Sequence, residues 1–271
     1  MTVGSRYRTM FARLAERNEG AFVPFLVLGD PDPETSLELV RALARSGADG
    51  LELGLPFSDP IADGPVIQAA ATRALHRGVT MADCWHIIAT IRREFPELPI
   101  GLLVYANLVM HQGAEPFYRT AAAAGADSVL VADAPLLEGG PLSDAARREG
   151  IAPIYIAPPN ADQTRLEAIA ARSEGYVYVT SRSGVTGADE RLHDDSARLL
   201  QQLAALGSSP TLLGFGIATP AHVRAALALG AAGAISGSAV VRHVERHAEG
   251  GTALINAVST FVRTMKEATC R

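Results

Sequence analysis

Two carboxylates dominate the chemistry this chain could perform. Glu52 and Asp63 fall in one stretch, Gly47-Ala-Asp-Gly-Leu-Glu-Leu-Gly-Leu-Pro-Phe-Ser-Asp-Pro-Ile-Ala-Asp-Gly-Pro65, which reads as a strand, a loop and a helix start. Leu51 and Leu53 share one face of the strand, so Glu52 points the other way. If the leucines pack under helices, Glu52 enters the interior of a sheet or barrel. A carboxylate there is costly unless it is paired or used. The proline-rich loop that follows brings Asp63 toward the same mouth. Two bland roles stay open at this point: Glu52 paired with an arginine, and Asp63 capping the helix that starts at Pro65.

A second kind of chemistry is anion binding. Three glycine-rich loops come late: Ser181-Arg-Ser-Gly-Val-Thr-Gly-Ala188, Gly214-Phe-Gly-Ile217 and Ser236-Gly-Ser238, the last opening a short helix. Glycines let backbone N–H groups approach a phosphate, and a helix N-terminus adds partial positive charge. Any of these loops alone could equally be a simple turn.

Other chemistries are disfavoured. The chain holds a single lysine, Lys266, near its end. Imine-forming mechanisms need a lysine at the site, so they are not expected here. His243 and His247 stand four apart, but the glutamate between them is misplaced for a His-Glu-x-x-His zinc helix. No metal is expected, and bond cleavage must rest on carboxylates and dipoles. Net charge is -5, so nothing suggests nucleic acid. Cys84 and Cys270 form no disulfide framework and suit a reducing cytoplasm. No signal core or membrane span is apparent.

Eight strands must position these residues. An amphipathic helix over 5–17 precedes them and could plug one end of a barrel. The strands are expected at 21–28, 49–53, 100–105, 128–132, 153–157, 176–180, 211–214 and 234–236. Pro24 sits awkwardly in the first, which suggests a bulge or irregular edge. Helices are expected from Asp32 to Ser46, after Pro65, and near 80–94, 114–124, 140–149, 161–172, 193–205, 219–229, 238–246 and 251–267. Such alternation implies parallel strands, and 271 residues without a composition break suit one (β/α)8 barrel domain over 1–271. An open doubly wound sheet would more naturally carry a Gly-x-Gly-x-x-Gly turn after strand 1, and none is present. In the barrel, Glu52, Tyr105, Asp133, Tyr178, Gly216 and Gly237 fall at or near the C-terminal strand ends, where barrel sites lie.

Pro24-Phe25 with Gly29-Asp30-Pro31, the Leu51–Pro65 stretch, Tyr105-Ala-Asn107, Asp127–Asp133, Ala157-Pro-Pro-Asn160, Ser181–Gly187, Gly214-Phe-Gly216 and Ile235-Ser-Gly-Ser238 run in order along nearly the whole chain. Together they resemble the motifs of the tryptophan synthase alpha chain family. The resemblance implies a TIM barrel that cleaves indole-3-glycerol phosphate to indole and glyceraldehyde 3-phosphate. It implies Glu52 as general acid/base and Asp63 as the carboxylate on the indole N–H. It places Phe25, Leu103, Tyr105, Leu130, Ile156, Tyr178, Phe215 and Ile235 around the indole, with Thr186 touching Asp63 on loop closure. Gly187, Gly216, Gly237 and Ser238 would hold the phosphate. Loops at about 56–63 and 182–192 would act as lids. The resemblance also implies an α2β2 complex with a β chain, docked near Pro56–Asp59, and pyridoxal phosphate in that partner rather than any cofactor in this chain. Val27 departs from a threonine common in the family. A free-standing indole lyase, an idle activator of β and another phosphate-binding barrel are the competing readings.

Overall fold

The computed structural model describes residues 3–134, 136, 139–180, 190–214, 216–247 and 251–270, with the side chains of 190–195 excluded. Its elements run α1 (Ser5–Glu16), β1 (Ala21–Val27), α2 (Pro33–Arg45), β2 (Leu51–Gly54), α3 (Pro65–His76) and α4 (Met81–Glu94). Next come β3 (Ile100–Val104), α5 (Ala106–Gln112), α6 (Ala114–Ala124), β4 (Ser128–Val131), α7 (Gly140–Arg148), β5 (Ala152–Ile154) and β6 (Ile156–Ala157). The chain continues with α8 (Gln163–Arg172), β7 (Val177–Thr180), α9 (Glu190–Ala205), β8 (Thr211–Gly214) and α10 (Pro220–Ala228). It ends with β9 (Gly233–Ser236), α11 (Ser238–Arg246) and α12 (Gly251–Glu267).

Every strand pairing is parallel, in the order β5-β4-β3-β2-β1-β9-β8-β7-β6. The two ends of that order, β5 and β6, are consecutive in sequence and separated only by Tyr155. Glu174 N–H donates to the Pro153 carbonyl at 2.9 Å and Tyr178 N–H to the Tyr155 carbonyl at 3.1 Å, so the sheet closes on itself. The expected strand 153–157 is therefore one barrel position in two pieces, and the eight-position barrel holds.

Pro24 causes neither an edge nor a bulge, contrary to expectation. β1 is central, paired with β9 over Ala21–Pro24 and with β2 over Phe25–Val27. The Phe22 and Leu28 N–H groups bond toward β2, to Asp49 Oδ2 and the Gly54 carbonyl. By alternation Pro24 faces the same side, where the ladder opens only at Phe25. The missing donor falls just before it is needed.

Burial sorts by parity. Leu51 and Leu53 pack in the outer layer with Leu39 and Leu43 of α2 and Ile87, Ile88 and Ile91 of α4. The inward-facing Ala21, Val23, Leu130, Ile154, Tyr176, Leu212 and Ile235 form a separate inner cluster. Tyr7, Met10 and Leu14 of α1 complete it from below, so α1 does plug the barrel. The Tyr7 hydroxyl bonds Ser128 Oγ at 2.8 Å and its ring lies 5.4 Å from that of Tyr176. At the same end Asp127 accepts from both Arg6 and Arg92 at 2.6 Å. Lys266 is held there by Glu19 at 2.8 Å and Asp49 at 3.0 Å. Among the described residues no helix is long and apolar enough to cross a membrane.

Candidate active site

Glu52 lies in the middle of β2, in register with Phe25 on β1 and Gly101 on β3, and is 2 % exposed. Its partner is no arginine: the Tyr176 hydroxyl donates to Oε1 at 3.1 Å. Burial pushes its carboxyl up to about 7; the Tyr176 hydrogen bond opposes this, and the negative charge of Asp63 adds to it. Glu52, pushed up to about 7, holds a proton near neutrality.

Asp63 does not cap α3. Gly64 occupies the N-cap position without a side-chain bond, and Pro65 follows. The carboxyl is half-buried and raised by desolvation, while a hydrogen bond from Tyr105 draws it down. Tyr105 is buried beneath the loop and accepts from the Ala62 N–H at 3.1 Å. Phe57 stacks on its ring at 5.3 Å. The 56–63 loop therefore folds over the mouth through aromatic and hydrogen-bond contacts to one tyrosine.

A narrow cavity runs beneath this loop, lined by Phe25, Val27, Asp63, Leu103 and Tyr105 together with Phe57, Ile67 and Ala71. The last two were missed by sequence reasoning. The spacing 63, 67, 71 is one helical face, and that signal was available. Leu130, Ile156, Tyr178 and Ile235 pack in the inner cluster below the mouth. Burial, with the charges of Glu52 and Asp63 adding to it, holds the Tyr178 hydroxyl well above the usual phenol range. Its ring fits only because Gly214 has no side chain: a Cβ there would lie 2.2 Å from the hydroxyl. Gly54 makes similar room for Phe25, with 2.7 Å to the ring.

In the loop after β8, Gly216 has φ 76°, a left-handed turn that favours glycine. Ser236 Oγ donates to the Ile217 carbonyl at 2.6 Å, tying the β8 and β9 loops together. Gly237 and Ser238 open α11, whose first-turn N–H groups have no side-chain cap. A Cβ on Gly237 would sit 3.7 Å from the Phe25 ring, so this helix end borders the cavity wall. By contrast, α10 is capped by Thr219, which accepts from the His222 N–H. Thr186, Gly187 and Phe215 lie outside the described residues, as does most of the expected second lid. The helix expected from 193 begins at Glu190. Asp133 is engaged structurally, accepting from the Ala106 N–H of α5 at 2.7 Å. Among the described residues no three His, Cys, Asp or Glu side chains gather as metal ligands, and His247 Nδ1 lies 2.9 Å from the His243 carbonyl.

The arrangement offers a buried acid near neutrality, a second carboxylate lining an apolar slot, and an uncapped helix N-terminus beside one wall of that slot. Comparison with known proteins points to one family. The family profile described as tryptophan synthase alpha chain matches residues 11–270. The tryptophan synthase alpha chain of Edwardsiella ictaluri is 56% identical over 265 residues, covering 98% of this chain and 99% of the relative. That of Shewanella oneidensis is 54% identical, covering 98% and 95%. Among solved structures, tryptophan synthase subunit alpha from Legionella pneumophila superposes with a TM-score of 0.88 at 30% identity, covering 97% and 98% of the two chains. A chain from the tryptophan synthase a2b2 complex of Pyrococcus furiosus gives 0.84 at 34% identity, covering 92% and 98%. This chain belongs to the tryptophan synthase alpha chain family.

Proposed function

We propose that this chain, acting as one domain over 1–271, is the lyase subunit that cleaves indole-3-glycerol phosphate to indole and glyceraldehyde 3-phosphate. The carbon–carbon bond breaks once the indole ring is protonated at C3. Glu52, neutral near pH 7, supplies that proton and then accepts one from the side-chain hydroxyl of the substrate. Asp63, ionised, steadies the positive charge developing at the ring nitrogen. Phe25, Leu103, Tyr105, Leu130, Ile156, Tyr178, Phe215 and Ile235 enclose the indole, and Thr186 meets Asp63 when the loops close. The N–H groups around Gly187, Gly216, Gly237 and Ser238 hold the phosphate.

The observation that carries this reading is Glu52, enclosed in the barrel interior, bonded by Tyr176 rather than by a cation and pushed up to about 7 by burial, with Asp63 adding to the shift. The chain supplies its chemistry from side chains and backbone dipoles. Pyridoxal phosphate is assigned to the β partner of an α2β2 complex, which receives the indole, and the cytoplasm is the expected compartment. Ile61, next to the Pro56–Asp59 segment assigned to that partner, is an exposed large apolar side chain.

The test is an indole-release assay on the isolated chain, with and without the β chain. Turnover by the isolated chain that rises when β is added is the expected result. Turnover indifferent to β would favour a free-standing lyase, and none without β an idle activator. A second measurement probes the slot. Gly214→Ala drives a methyl into the Tyr178 ring. It is expected to lower kcat/KM about 10²-fold through misplacement of the indole. Kinetics equal to wild type would remove Tyr178 from the indole wall.

A further inference from the structure

The buried Asp30 takes no part in the chemistry above, yet its carboxylate is fully enclosed at the end of β1. It receives a two-pronged bond from Arg73 of α3, Nε to Oδ1 and Nη2 to Oδ2, each 2.8 Å. The third guanidinium nitrogen of Arg73 faces Glu245 of α11 at 4.0 Å. Asp30 follows β1 by three residues, and Arg73 and Glu245 lie on α3 and α11, so the linkage joins the segments that line or border the cavity. β1 supplies Phe25 and Val27. α3 begins two residues after Asp63 and presents Ile67 and Ala71 to the slot. α11 begins at the Gly237–Ser238 loop.

α3 and α11 share one small apolar cluster, to which α3 gives Val66, Ile67, Ala70 and Ala71 and α11 gives Val241. Apolar contact is non-directional and fixes little about how a helix is rotated or slid along its axis. The fork does, because two parallel bonds hold a guanidinium and a carboxylate in one plane.

We propose that the Asp30–Arg73–Glu245 linkage is a positioning device that sets the distance between Asp63 and the phosphate loop, matching it to one substrate that spans both. The idea rests on the reading of the site given above. Its energetic signature is specific. A ligand with indole and phosphate joined gains affinity over its separate halves because the second contact is intramolecular. That gain depends on spacing, whereas the affinity of each half does not.

The experiment compares three ligands by calorimetry: indole, glycerol 3-phosphate and 3-(indol-3-yl)propyl phosphate. Arg73→Lys keeps the charge but loses the fork. Asp30→Asn with Arg73→Gln removes both charges and keeps the size. In each folded variant the halves should bind within about twofold of wild type, while the joined ligand loses about 10- to 100-fold. The proposal is overturned if the joined ligand keeps its advantage in either variant, or if all three ligands weaken alike, the mark of general loosening. Failure of the underlying site reading is distinguishable, since wild type itself would then show no preference for the joined ligand. Kinetics give a second check: kcat/KM should fall with the joined-ligand affinity in Arg73→Lys, without a shift in the pH profile set by Glu52.

Discussion

Glu52→Gln is expected to slow indole release by about 10²–10⁴-fold while binding of glycerol 3-phosphate survives unchanged. Gln keeps the shape and can still accept from Tyr176, but it carries no proton to give. The wild-type pH profile should show the same group. The proton must be present at the start, so kcat/KM should fall as pH rises through about 7. Stability reports it independently. The carboxyl titrates at about 7 in the fold and at the ordinary 4.5 when exposed. Between those values the folded state retains a proton that the unfolded chain releases, so stability falls as pH rises through that window. At about 1.36 kcal/mol per unit the loss reaches up to about 3 kcal/mol above pH 7. Glu52→Gln has no such slope. It should therefore unfold at higher urea than wild type at pH 8 and converge with it at pH 4. Near-normal turnover, or parallel stability curves, would remove Glu52 from its role.

Parity made most of this legible in advance. Leu51 and Leu53 on one face forced Glu52 inward, and the Tyr176–Thr180 alternation put Tyr178 inside. Helix ends were readable where a residue type has one strong local preference, as at Asp32 before Pro33, which caps α2 by accepting from the Thr35 N–H. What failed was non-local. Pro24 looked like an edge because its neighbours across the sheet, and the late start of β2, are not written in its own segment. The helix Ala106–Gln112 went unseen because its start is satisfied by Asp133, 27 residues away. Tyr155 interrupts one barrel position through geometry at the closure, which no local pattern encodes. Asp30 and Arg73, 43 residues apart, became a pair only once α3 had folded over β1. Ile67 and Ala71 were overlooked for a different reason. Their spacing from Asp63 was visible, but α3 had no reason to be placed over the mouth until its contact with Phe25 and Val27 was known.

Asp63→Asn should cost about 10²–10³-fold in kcat/KM, and should do so without harming the binding of a neutral indole. The ring nitrogen bears no net charge in the substrate and becomes cationic only once C3 is protonated. A carboxylate beside it therefore acts mainly on the transition state, and its loss falls on kcat rather than on KM. Asn can still accept the N–H hydrogen bond, so this substitution isolates the charge from the contact. A second consequence follows from the coupling of the two acids. The charge of Asp63 helps to raise Glu52, after burial as the larger cause. Removing it lets Glu52 ionise more readily, and the alkaline limb of the residual activity should move to lower pH. Loss of rate together with this shift identifies one electrostatic unit in which Asp63 both keeps Glu52 protonated and receives the cation that the proton creates. A slower enzyme whose pH limb stays in place would mean that the two carboxylates act separately, and a raised KM at unchanged kcat would reduce Asp63 to a binding contact.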